Sequence, residues 1–173
     1  MTNMHQTAAA LVTALIIGFI TGCSDNSNSS KPANAPAVSQ KESASTTTKP
    51  IEITVYKSPT CGCCKGWVDH LRAEGFVVTT HDNENMDPIK KSAGIPGHLE
   101  SCHTALVEGY AIEGHVPAAD IRQLLNERPK IAGLTAPGMP MKSPGMQAPG
   151  LAPKGYDVLA FTENGKTTVF TQY

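Results

Sequence analysis

Ile51-Glu52-Ile53-Thr54-Val55-Tyr56-Lys57-Ser58-Pro59-Thr60-Cys61-Gly62-Cys63-Cys64 is the stretch on which the fold turns. Ile51 to Tyr56 alternates and is rich in β-branched residues, which is the pattern of a strand. Ser58-Pro59-Thr60 ends it. Cys64 to Glu74 reads as a helix that gathers Trp67, Val68 and Leu71 on one face and stops at Gly75. A cysteine cluster therefore sits where the first strand meets the first helix.

The rest of the pattern extends outward from that junction. Phe76 to Thr80 is a second strand, and the intervening helix makes it parallel to the first. Asp87-Pro88 opens a short helix, Ile89 to Ala93, stopped by Gly94. Thr104 to Val107 and Tyr110 to Glu113 form a hairpin across Glu108-Gly109. Pro117 opens a helix from Ala118 to Arg128 that buries Ile121, Leu124 and Leu125. Gly133 to Gly155 reads as one long Gly/Pro/Met loop. Tyr156 to Phe161 and Lys166 to Phe170 close the chain as a hairpin across Thr162-Glu163-Asn164-Gly165. The expected fold class is α/β with a mixed sheet (α+β in character). Its β-α-β-α-β-β-α order is that of a thioredoxin-like domain, here with an added C-terminal β-hairpin.

That domain is expected over residues 51–173. Before it, Ala8 to Ile20 is apolar except for Thr13 and Gly18, too short for a membrane span and suited to a signal-peptide core. It ends in Ile20-Thr21-Gly22-Cys23, which resembles a bacterial lipobox. The expected arrangement is a lipoprotein signal peptide over 1–22, then lipidated Cys23 and a disordered tether over 23–50. The tether is rich in Ser, Thr, Asn, Ala, Lys and Pro and has little apolar surface to offset its chain entropy. A lipid anchor at Cys23 would place the protein in the bacterial cell envelope, facing the periplasm. Ser24 after Cys23 favours the outer membrane over the inner. The formal net charge is -1, so there is no electrostatic case for nucleic acid.

If Cys23 carries lipid, four of the 5 cysteines remain for chemistry. Cys61 and Cys64 form C-x-x-C, and Cys63 adds a third thiol. The partial positive charge of a helix N-terminus favours thiolates. Three thiols in four residues exceed what a dithiol–disulfide cycle needs, and thiolate-rich sites select copper(I) or zinc over hard cations. Cys102-His103, just before the third strand, is the expected second half of the site, and His115 a further ligand. The plainer alternatives are a structural disulfide, a buried small residue at Cys102, and hydrogen-bonded structural histidines. His70, His81 and His98 read as surface or supporting residues.

Gly138-Met139-Pro140-Met141-Lys142-Ser143-Pro144-Gly145-Met146 is the second unusual stretch. Its three methionines follow neither helical nor strand spacing. Thioethers are neutral soft ligands that suit copper(I) at any pH. The alternative is that Met139, Met141 and Met146 pack the loop onto the core.

Tyr56 to Cys64, Ser101-Cys102-His103-Thr104, Glu113-Gly114-His115-Val116-Pro117 and Pro137-Gly138-Met139-Pro140 together resemble the CopG-like family of periplasmic metal-binding proteins. That family is associated with copper resistance and has a thioredoxin-like fold. The resemblance covers nearly all of residues 51–170. It implies copper binding by Cys61, Cys63, Cys64 and Cys102, with His103 and His115 beside them. The expected function is binding or sequestration of copper(I) at a Cys-rich site able to hold more than one ion, rather than catalysis, with copper ions and other periplasmic copper-handling proteins as partners. Two rivals remain: a thiol–disulfide oxidoreductase using Cys61 and Cys64, and a zinc-binding protein.

Overall fold

The structure, a computed structural model, describes residues 49–173. The expected signal peptide over 1–22, the lipidation at Cys23 and all but the last two residues of the tether lie outside the described residues. The elements, in chain order, are β1 (Glu52–Lys57), α1 (Gly62–Ala73), β2 (Val77–Asp82), α2 (Asp87–Ser92), a 3-10 turn (Gly97–Leu99), β3 (His103–Val107), β4 (Tyr110–Gly114), α3 (Ala118–Glu127), β5 (Gly133–Ala136), β6 (Asp157–Phe161) and β7 (Thr167–Gln172). Among the described residues, no helix is long and apolar enough to cross a membrane.

The seven strands form one mixed sheet in the order β2-β1-β3-β4-β5-β6-β7. β1 and β2 are parallel, as a helical crossover requires. β3 runs antiparallel to β1, with Lys57 opposite His103. The β3–β4 and β6–β7 hairpins form as expected. Glu108 and Gly109 both have positive φ (44° and 90°), the primed turn that suits a twisted two-residue hairpin. The fold is the expected thioredoxin-like one, extended by β5 and the C-terminal hairpin.

One expectation fails. The stretch read as a loop from Gly133 begins with a strand. β5 is parallel to β4, antiparallel to β6, and buried along all four residues. A short strand covered on both faces shows no alternation, so Gly133-Leu134-Thr135-Ala136 carries no period-2 signal. Gly133 is required here, because a Cβ would collide with the Ala111 carbonyl and press on the Phe161 ring.

Two helices cover one face of the sheet. Trp67, Val68 and Leu71 of α1 and Ile121 and Leu124 of α3 pack with Ile53, Val55, Ala105, Ile112, Leu134 and Val158 from the strands. α1 ends in a Schellman motif: Phe76 N–H bonds Leu71 O, Gly75 N–H bonds Arg72 O, and Gly75 has φ +83°. That stop turns the chain into β2 and buries Phe76 behind the helix. Truncating Trp67, fully buried at the centre, would cost about 3–5 kcal/mol. On the opposite face, Ile95 and Leu99 pack on Ala111 and Phe161.

Candidate metal centre

α1 begins at Gly62, slightly earlier than the sequence suggests, with Cys61 as its N-cap. The Cys61 sulfur accepts the Cys64 N–H at 3.3 Å, filling the place an Asp or Ser oxygen usually takes. Cys63 and Cys64 thus lie in the first helical turn. Cys64 is buried, while Cys61 and Cys63 are half-buried. In this structure Cys61 and Cys64 are joined by a disulfide, and Cys63 and Cys102 are the free cysteines among the described residues. The Cys63 sulfur lies 3.5 Å from that of Cys61.

Because β3 lies beside β1, it delivers Cys102 and His103 to the start of α1. The sulfurs of Cys61, Cys63, Cys64 and Cys102 lie within 4.8 Å of one another. Cys102, His103 and His115 form a second group with donor atoms equally close. Cys102 belongs to both groups. Its sulfur is 3.1 Å from His115 Nε2 and 3.3 Å from His103 Nδ1. Two donor sets that share one thiol are suited to a soft metal, and a shared thiolate can bridge two ions.

The imidazoles are held neutral. Burial lowers the His115 pKa, and burial with His115 and Lys90 nearby drives that of His103 well down. Pro144 O accepts from His115 Nδ1 at 2.7 Å. A carbonyl only accepts, so Nδ1 carries the proton and the Nε2 lone pair faces Cys102. His103 is fully buried, its ring 4.4 Å from that of Trp67, and its Nε2 has no hydrogen-bond partner among the described residues. Burial and the neighbouring Cys63 push the Cys102 pKa up to about 12, so without metal it is a thiol. Metal uptake at Cys102 must release that proton.

A buried polar network lies behind the site. Glu113 accepts the Ser101 N–H at 2.6 Å and the Thr104 hydroxyl at 2.6 Å, and pairs with Lys90. Lys90 also donates to Thr104 Oγ1 at 3.2 Å. The carboxylate therefore ties the Cys102-His103 segment to the strand that leads into His115. Sequence reading does not reveal Lys90, which looks like an ordinary exposed helix lysine. Its burial depends on α2 lying against the sheet.

The methionine loop crosses the rim of the site and is fixed at two points. At one end, Ser101 bridges Gly138, with the Ser101 hydroxyl donating to Gly138 O and Gly138 N–H bonding Glu100 O. At the other end, Pro144 receives His115, and Gly145 (φ +86°) lies against Gly66 and the Cys63–Trp67 backbone. Between them, Met139 and Met141 are 56% and 72% exposed, so neither packs the loop onto the core. Met146 is half-buried. Of the other histidines, His70 is half-buried and accepts the Ala118 N–H, while His81 and His98 are exposed.

The family model described as "Protein of unknown function, DUF411" matches residues 99–146, which hold Cys102, His103, His115 and the methionine loop. Two solved structures are similar to this chain: "Copper resistance protein copG- Form 2" and "Copper resistance protein copG- Form 1". Both show 42% identity and a TM-score of 0.66 over 72% of this chain, covering 99% and 98% of their own chains. No curated protein matches.

Proposed function

The chain belongs to the CopG-like copper-resistance family, and from that membership we propose that it binds and sequesters copper(I) at Cys61, Cys63, Cys64 and Cys102, with His103 and His115 completing the site. The observation that carries this reading is the position of Cys102 in two donor groups at once. One tetrahedral zinc ion needs four donors and no shared thiol. Four sulfurs and two neutral imidazoles around a common thiolate suit a soft monovalent ion, and more than one of them. The lipobox-like Ile20-Thr21-Gly22-Cys23 supports a setting in the cell envelope on the periplasmic side, held by a lipid at Cys23.

The test is an anaerobic copper(I) titration of the reduced full-length chain against a competing chelator, repeated with Cys63→Ser and with zinc. Tight copper(I) binding that Cys63→Ser weakens strongly is expected. Parent-like binding by the variant would sink the site assignment, and a preference for zinc would replace copper. A second reading, thiol–disulfide oxidoreductase, is favoured by the Cys61–Cys64 disulfide at a helix N-terminus. An insulin-reduction assay on the same sample separates the two. Robust turnover with weak copper binding would favour the enzyme.

A further inference from the structure

We propose that Met139 and Met141 form an outer copper(I) landing site that passes the ion to the cysteine centre beneath it. This rests on the copper reading and adds a second, separate site to it. The first observation is exposure. Two large apolar side chains, two residues apart, stand in solvent and gain nothing from burial. What they do present is a pair of soft thioether sulfurs.

The second observation is that the backbone carrying them is fixed. Ser143 N–H and Ser143 Oγ both bond Pro140 O, at 3.1 and 2.6 Å, and Ser143 is fully buried. Lys154 N–H bonds Lys142 O at 3.3 Å. Met141 therefore rides on a tight turn, and Met139 follows directly on the Ser101–Gly138 bridge.

The third observation is where this turn stands. One foot is hydrogen-bonded to the residue before Cys102; the other is hydrogen-bonded to His115 through Pro144 O and, at Gly145, packs closely against the helix turn that carries Cys63. The turn is thus anchored at its two ends to the segments that carry the two halves of the cysteine site.

The chemistry gives the direction of movement. A thioether needs no deprotonation, so it takes up copper(I) without proton competition but holds it more weakly than a thiolate. Copper then moves inward. Two copper–thioether bonds break, bonds to cysteine sulfur form, each thiol that binds gives its proton to solvent, and copper stays monovalent.

The test uses the full-length chain with methyl-labelled methionine. Its cysteine site is first filled with copper(I), and silver(I), a redox-inert monovalent soft ion, is then titrated in. The expected result is saturable shifts of the Met139 and Met141 methyl signals, with Met86 unmoved. In M139L/M141L, uptake of copper(I) from a copper(I)–chelator complex should slow about tenfold, with equilibrium affinity at the cysteine centre unchanged within about twofold. Both residues are exposed, so the variant keeps its core. Absence of the methyl shifts overturns the site. Shifts with unchanged uptake rate overturn the transfer role. Failure of the cysteine centre itself to bind copper(I) in the chelator competition would be a separate result, against the reading on which this one rests.

Discussion

The carboxylate of Glu113 accepts the backbone N–H of Ser101 at 2.6 Å, fixing the residue before Cys102 from within the protein. The charge on Glu113 is matched by Lys90, whose side chain is only 6% exposed. Removing one member of a buried pair leaves the other uncompensated, so Lys90→Met should cost about 3–5 kcal/mol in urea unfolding. Adding Glu113→Gln should recover much of that loss, because no lone charge then remains buried. Burial raises the Glu113 pKa above 4.5, with Lys90 pulling the other way. A raised carboxyl pKa gives stability at low pH that is lost as pH rises. The Lys90→Met defect should therefore grow from acid toward neutral pH. Equal loss at both ends of that range would show that the pair is not the cause.

Gly145 offers a test of the loop clamp. A methyl group there would lie 2.5 Å from Trp67 N and 2.6 Å from Cys63 O, and φ is +86°. Gly145→Ala should lose more than the roughly 1–2 kcal/mol of left-handed strain alone, because the loop must lift off α1. Gly150→Ala is the control: its φ is +83°, but none of the described residues lies within 4 Å of the added carbon. The difference between the two in melting temperature measures the contact. A matching loss of copper(I) affinity in Gly145→Ala alone would tie the clamp to the site through the Pro144–His115 hydrogen bond. Equal melting temperatures for the two variants would mean that the loop does not bear on α1.

His70 should govern part of the acid sensitivity. Its Nε2 accepts the Ala118 N–H at 3.2 Å at the start of α3, which only the neutral ring can do. Burial lowers its pKa below 6.5, although Glu74 acts to raise it. A depressed pKa means the native state prefers neutral His70. Stability from this group is complete above 6.5 and is lost as pH falls through the lower folded value. His70→Gln keeps an acceptor but cannot titrate. Below pH 6.5 it should lose less stability than the parent, while His103 and His115 contribute equally to both. Identical pH profiles for the two chains would remove His70 from this role.

Much of this was legible in the residues. The thioredoxin-like order follows from β1, the Gly75 stop of α1 and the Glu108-Gly109 hairpin, each with a local signal. The meeting of Cys61, Cys63 and Cys64 with Cys102 and His103 follows once β3 lies beside β1. β5 was not legible, because four residues covered on both faces have no periodicity to read. Lys90 was hidden for another reason: its role depends on a residue 23 positions away. The methionines were legible as soft donors, but only the structure separates exposed Met139 and Met141 from half-buried Met146.

Redox state should control copper capacity. With Cys61 and Cys64 joined, two of the four sulfurs in the thiol group are bonded to each other, leaving Cys63, Cys102 and the two imidazoles. Reduction by a dithiol supplies two electrons and two protons, and the dithiol becomes a disulfide. Cys64 is buried and Cys61 half-buried, so attack falls on Cys61 with Cys64 as the leaving thiol. The oxidised chain should therefore take up less copper(I) than the reduced chain in anaerobic titration, and dithiothreitol followed by its removal should restore the difference. Cys61→Ser cannot form this bond, so its uptake should no longer respond to that treatment. If oxidised and reduced chains bound the same amount with the same affinity, Cys61 and Cys64 would lie outside the copper site, and the centre would reduce to Cys63, Cys102, His103 and His115.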